Sequence, residues 1–329
     1  MFCLVYVVLK VFIYRPDHNQ ISYVNNNENV LGFNIPSDLC FCGEKIPFNN
    51  YEIQLNLEQE FFNNAYWKAN SSELFSKAQR WFPYIEPILK KEGVPEDFKY
   101  VAIIESHLSN AMAKSGAAGF WQLVKPSAQN YGLEVNEFVD ERFHIEKSTH
   151  AACKLFKEAY TTFKNWTLAA AAYNLGIGGI QAALKKQNVQ NYYELILNSE
   201  TGSFVYRILA YKTLFESPSQ FGLKNKKLNY MPLIQFKVIK VDSAITNMEA
   251  LAKHLNCNKA LILFFNPWLM QEILPNPDKK LYEIRIPKNM TKDYSSYISD
   301  LTGKEENLQS DSLVIPQKIN FSSDSVLNK

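Results

Sequence analysis

Apolar residues recur at helical spacing from Tyr51 onward. Leu55, Leu57, Phe61 and Phe62 lead to Ala65 and Trp67, and Trp81, Ile85, Ile88 and Leu89 mark one face of the next segment. Asn70, with Glu73 three residues on, reads as the N-cap of that segment. Pro83 and Pro87 fall inside it and are expected to kink or restart the helix. Gly93 closes it and Pro95 opens another, the usual asymmetry of glycine past ends and proline at starts. Residues 96–106, EDFKYVAIIES, then form a short and mostly apolar helix. A small-residue loop, AMAKSGAAG, and the sequence FWQLV follow, and Pro126 starts a helix that stops at Gly132. Residues 144–164 are amphipathic, WTLAAAAYNLG is a buried alanine-rich helix, and 201–216 is the last strong helix before Pro218. The glycines at 176, 178 and 179 read as a helix break. From 51 to about 222 the chain is helical, with no convincing strand.

The period changes after Lys227. PLIQFKVIKVD alternates as a strand does, MEALAKHLN and KALILFFN are short helices, and KLYEIRIPK alternates again. Residues 230–289 are therefore a small α+β module in the order strand, helix, helix, strand, with its strands near 233–241 and 281–287. Upstream, residues 21–50 are rich in Asn, Pro and Gly and read as an extended lead-in. Residues 51–94 supply helices that pack on the part that follows. Residues 290–329 are rich in Ser, Asn, Asp and Lys and read as a loose tail.

The run FCLVYVVLKVFIY at 2–14 is apolar except for Lys10. It falls short of the roughly 20 residues that span a bilayer and suits the h-region of an export signal. Residues 1–20 are read as a signal or export segment, which places the protein in the periplasm or cell envelope. A buried N-terminal strand is the other reading.

Composition narrows the function classes. The 329 residues suggest two modules, at about 150 residues each. An apolar fraction of 47% excludes wholesale disorder. Lys+Arg 35 against Asp+Glu 33 leaves a net charge of +2 and no basic stripe, which argues against a nucleic-acid partner. The five cysteines, Cys3, Cys40, Cys42, Cys153 and Cys257, have no zinc or redox spacing, so no metal is expected. Aromatic residues at 14% can fill a core or line a sugar groove, and composition does not choose between them.

Glu105 ends the apolar run VAII. It is either a solvated helix-end residue or a carboxyl held in an apolar cleft. In a cleft, burial and the negative end of the helix both raise its pKa, and a neutral Glu can protonate a glycosidic oxygen. Ser106 adjoins it, Gly116 and Gly119 allow close backbone approach, and Phe120, Trp121 and Gln122 offer a stacking face and an amide. Trp121 can equally be a core aromatic, and Phe120 reads as core. Tyr173 and Asn174 end the alanine-rich helix just before Gly176.

Taken in order, Glu105-Ser106, the GFWQ at 119–122 and the AYN at 172–174 carry a resemblance. The chain resembles the lytic transglycosylase SLT-domain family, and within it the membrane-bound lytic murein transglycosylase D group, over residues 95–222. The C-terminal module resembles a diverged LysM domain. The resemblance implies a mainly α chain, with a lysozyme-like helical catalytic domain and a small α+β LysM-like domain. It implies peptidoglycan glycan strands as partner, association with the cell envelope, and no cofactor. The implied reaction cleaves the N-acetylmuramic acid–N-acetylglucosamine bond without water and leaves a 1,6-anhydro end. Glu105 falls on the family's sole catalytic carboxylate, and Ser106, Ser115, Gln122, Tyr173 and Asn174 fall near the cleft. A LysM module of this kind is expected to bind glycan and to be separable from residues up to Gly222.

Two positions depart from the family pattern. AMAKSG stands where AVSPAG is common, so Ala113 replaces a serine and Ser115 is its substitute. ETGSFV puts Phe204 at a tyrosine position, and Tyr206 would face another side of the helix. These departures motivate the alternative of a weakly active or inactive glycan-binding scaffold. A hydrolytic muramidase on the same fold is a further alternative, with Asp140 and Glu141 as the nearest acidic candidates for its second carboxylate.

Overall fold

The computed structural model describes residues 35–36, 38–62, 72–221, 235–288 and 313–314. The expected export segment at 1–20, the Asn70 cap and nearly all of the expected 290–329 tail lie outside them.

Two short strands, β1 (Cys40–Phe41) and β2 (Glu44–Lys45), pair antiparallel across a turn. Helix α1 (Tyr51–Glu60) follows, capped by the Asn50 side chain, which accepts from Glu52 N. Helix α2 (Ser72–Glu92) runs through Pro83 and Pro87 instead of restarting at either. Leu74, Ala78, Ile85, Ile88 and Leu89 are buried along its length. Packing of that continuous face offsets the backbone bonds that the two prolines cannot make. Pro95 leads through one 3-10 turn into α3 (Lys99–Ser106), whose Tyr100, Val101, Ala102 and Ile103 are buried. His107 and Leu108, at φ 50 and 55, turn the chain out of the helix. Strand β3 (Met112–Ala113), an irregular loop and α4 (Lys125–Asn130) come next, with Pro126 in the first turn of α4.

Helices α5 (Ile145–Phe163), α6 (Trp166–Leu175), α7 (Ile177–Gln187) and α8 (Ser199–Glu216) complete the helical part. Only Gly176, at φ 82, separates α6 from α7. Gly178 and Gly179, read as part of a break, lie inside α7. The buried run Ala169 to Ala172 keeps α6 thin, so α5 and α8 both pack closely against it.

The start of α6 is held from far upstream. Glu44 Oε1 accepts from Trp166 N at 2.5 Å, and Oε2 accepts from Thr167 N at 2.9 Å and Thr167 Oγ1 at 2.6 Å. A carboxylate here meets both the orphan N–H groups and the positive end of the helix. Glu44→Ala is expected to destabilise the fold by about 1–2 kcal/mol. Glu44→Gln, which keeps one acceptor, should lose less. Urea unfolding checks this, and an unchanged midpoint for Glu44→Ala would show the clamp to be silent.

The C-terminal module has the expected order: β4 (Phe236–Val241), α9 (Met248–His254), α10 (Lys259–Phe265) and β5 (Tyr282–Pro287). The strands pair antiparallel from Phe236↔Pro287 to Val241↔Tyr282. Asn247 and Asn258 cap the two helices. Strand β6 (Leu313–Val314) pairs antiparallel with β3.

This module shares a core with the helical part. Ala118, Val139 and Phe143 are buried in one cluster with Met248, Ile262, Trp268, Leu274, Tyr282, Ile284 and Ile286. Asp140 N donates to Trp268 O and Met270 N to Phe138 O, both at 2.9 Å. Lys280 pairs with Glu134, Arg285 pairs with Glu146, and the Tyr84 and Phe236 rings stack at 6.3 Å. The module is therefore built into the wall of the helical part rather than hung from it.

Candidate active site

A cleft of about 800 Å³ opens between the end of α3, the loop at 113–124, the α6–α7 junction and α8. Glu105, Ser115, Gln122, Tyr173 and Asn174 all line it. Ser106 does not. Its buried Oγ donates to Ala102 O and to Phe120 O at 2.9 Å, and accepts from Ser109 N. Ser106 thus ties α3 to the loop and sets where Glu105 sits.

Glu105 remains partly open to the cleft. Burial on its other sides pushes its carboxyl up to about 8; Arg207 opposes this and Glu200 adds to it. No side chain among the described residues hydrogen-bonds this carboxyl, so the Arg207 charge is what favours its ionised form, and burial outweighs it.

The loop that faces Glu105 is rigid for local reasons. Gly119, at φ 78, packs so closely that a Cβ there would lie 2.0 Å from Arg142 O. Arg142 Nη1 donates to Gly116 O at 2.7 Å and Leu123 O at 3.0 Å, bracketing the loop. Asp140 holds that guanidinium through two carboxylate contacts, at 2.9 and 2.7 Å. Glu141, also buried, accepts from Glu134 N and pairs with Lys147. Neither Asp140 nor Glu141 lines the cleft, so neither fits the part of a second catalytic carboxylate. Both belong to the scaffold behind the loop.

Gln122 sits at φ 46, and its Nε2 donates to Ala111 O at 3.0 Å and Gly119 O at 2.8 Å. Its amide oxygen is the atom left for a ligand. Trp121 and Phe120 are fully buried; Trp121 Nε1 donates to Thr149 Oγ1 at 2.9 Å. Trp121 is therefore a core aromatic and offers no stacking face. Tyr173 donates its O–H to Trp121 O. Burial, with the Glu105 charge second, raises its phenol well above 10, so it stays protonated. Asn174 Oδ1 accepts from Thr201 Oγ1 at 2.6 Å, and its Nδ2 donates to Glu200 Oε1 at 3.4 Å.

Helix α8 contributes three groups: Glu200, Phe204 and Arg207. Phe204 is buried and forms part of the lining, as the family position implied. Tyr206 faces away and packs on Tyr192 and Tyr193 at 6.0 and 6.1 Å. Glu200 and Arg207 were not singled out from the sequence. They lie four residues before and three after Phe204, which puts all three on one helical face.

The helical domain is lysozyme-like, and its cleft holds the raised carboxyl of Glu105. Residues 83–196 match the family described as the transglycosylase SLT domain, and residues 237–290 match the soluble lytic transglycosylase C-terminal LysM-like domain. The two matches lie in that order along the chain. Among curated relatives, it is 27% identical over 173 residues to the membrane-bound lytic murein transglycosylase D of Escherichia coli (strain K12), covering 51% of this chain and 38% of the relative. The same figures hold for the protein of that name from Escherichia coli O6:H1 (strain CFT073). The chain thus spans about two fifths of the length of these relatives. Among the described residues, no helix is long and apolar enough to cross a membrane, and no group of His, Cys, Asp or Glu could hold a metal ion.

Proposed function

We propose that this chain is a peptidoglycan lytic transglycosylase of the cell envelope. It cleaves the N-acetylmuramic acid–N-acetylglucosamine bond and leaves a 1,6-anhydromuramic end. The observation that carries the reading is Glu105, a carboxyl inside the cleft of an SLT domain and held up to about 8 by burial. At neutral pH it is protonated and can give that proton to the leaving glycosidic oxygen as the bond breaks. The acetamido oxygen of the muramic residue stabilises the oxocarbenium-like centre, a substrate-assisted route that needs no second carboxylate. The Glu105 carboxylate then takes the proton of the sugar 6-hydroxyl, and that oxygen closes onto the anomeric carbon. Glu105 ends the cycle protonated. Tyr173, a neutral phenol anchored to Trp121 O, keeps the wall beside the carboxyl in place. The LysM-like module holds N-acetylglucosamine-containing glycan.

Product analysis of digested peptidoglycan tests the reading. Anhydro ends are the expected result. Reducing ends would favour hydrolysis, for which Glu200 is the other carboxylate in the cleft. An absence of product would favour a glycan-binding scaffold.

Phe204 supplies a further test. A tyrosine hydroxyl at 204 can donate to ionised Glu105, favouring that form and lowering its pKa. The acid form is the one that starts the reaction, so Phe204→Tyr should move the basic limb of the pH–rate profile to lower pH. An unmoved limb, or one moved to higher pH, would show that position 204 does not act on Glu105.

A further inference from the structure

Arg207 is a guanidinium in the cleft whose donors the protein leaves largely unused. Its Cζ lies over the Phe204 ring, 5.6 Å from the centroid, and one Nη donates to the Glu200 backbone carbonyl at 2.9 Å. These two contacts fix its direction. Yet Nε is buried with no hydrogen-bond partner. Arg142 pairs with Asp140 and Arg285 with Glu146, whereas Arg207 forms no ion pair among the described residues. An orphaned donor on an arginine is costly, and an oriented guanidinium with free Nη donors fits the fork geometry of a carboxylate.

We infer that Arg207 is a specificity residue that binds a carboxylate carried by the muramic residue of the substrate. The inference rests on the reading of the cleft as a peptidoglycan site. N-acetylglucosamine carries no carboxylate, so such a contact distinguishes muramic-containing strands from a plain glucosamine polymer. The carboxylate has two sources. One is the lactyl group of strands stripped of stem peptide, and the other is the stem peptide itself.

The test uses two matched pairs of glycans. The first pair is peptide-free strands with lactyl carboxylates, and the same strands converted to primary carboxamides. The second pair is peptide-bearing strands before and after amidation of the peptide carboxylates. We compare kcat/KM for the full wild-type chain, Arg207→Gln and Arg207→Lys. Wild type should prefer the carboxylate member of one pair by about 10–100-fold, the loss typical of a deleted hydrogen bond to a charged group. Arg207→Gln should bring that ratio to about one, and Arg207→Lys should keep part of it. The pair that responds names the source. Because each ratio is taken within one preparation, partial unfolding of a variant does not move it. A wild-type ratio near one in both pairs overturns the inference, as does a preference that survives in Arg207→Gln. If no glycan is cut, the lytic reading fails, and calorimetric binding of the same pairs to the Glu105→Gln protein decides the carboxylate site. Equal affinities within both pairs then overturn it. A carboxylate preference lost in the Glu105→Gln, Arg207→Gln double variant supports it.

Discussion

Glu105→Gln is expected to abolish muropeptide release while leaving the chain folded and, near neutral pH, more stable than wild type. Gln keeps the size of the side chain and removes the proton that both steps require. General acid–base help is worth about 10²–10⁴-fold per step, so turnover should fall to background. The stability gain follows from the same burial. In the unfolded chain the carboxyl ionises around 4.5, and in the folded chain around 8. Below 4.5 both states hold the proton, and Glu105 leaves stability unchanged. Between 4.5 and 8 the unfolded state releases it and the folded state keeps it. Folding is then penalised by up to about 1.4 kcal/mol per pH unit. Glu105→Gln escapes this penalty. Urea unfolding at pH 4.5 and pH 7.5 should show the variant matching wild type at the first and exceeding it at the second. Retained turnover would sink the single-carboxylate mechanism. A stability difference that does not vary with pH would sink the raised pKa.

Removing everything after Gly222 should destabilise the helical part and weaken its catalysis. The cut uncovers Ala118, Val139 and Phe143, now 1–3% exposed. Burying a side chain such as Val or Phe contributes about 1.5–3 kcal/mol. The cut also leaves Glu134 and Glu146 without Lys280 and Arg285, and Asp140 N without Trp268 O. A total of about 4 kcal/mol is a large share of ordinary stability and corresponds to a melting temperature lower by roughly 10 °C. The cleft is affected because Trp268 O anchors Asp140, Asp140 holds Arg142, and Arg142 brackets the loop that carries Gln122. Trp268→Ala, which keeps the carbonyl but removes the buried ring, should reproduce part of the stability loss in the full chain. A shortened chain that melts with wild type and cleaves small muropeptides at the same rate would show the shared core to be dispensable.

Much of the fold was legible along the chain because the longer helices bury one face, while α3 and α6 are apolar runs buried through consecutive residues. The strand–helix–helix–strand module was legible for the same reason, with the period changed from helical to alternating. Where reading failed, a local signal was overruled by packing. Pro83 and Pro87 look like breaks, but the buried face of α2 continues across them. Gly178 and Gly179 look like loop, but Gly176 alone makes the turn. At the site, Glu105, Ser115, Gln122, Tyr173 and Asn174 share the cleft, while Ser106 and Trp121 stand behind it. Adjacent letters in a motif point in different directions, and only the backbone decides which. Glu200 and Arg207 needed one more step, the helical neighbours of Phe204. The shared core left no local trace at all, because Ala118 and Phe143 meet residues more than a hundred positions away.

The Glu44 clamp bears on how the cleft is held together along the chain. It joins groups 122 and 123 positions apart, and closing so long a loop costs entropy before any contact repays it. The β1–β2 hairpin gains this anchor only where Trp166 and Thr167 present their N–H groups. The side of the cleft that α6 supplies, with Tyr173 and Asn174, is therefore a long-range feature of the fold, its N-terminal anchor lying more than a hundred residues upstream.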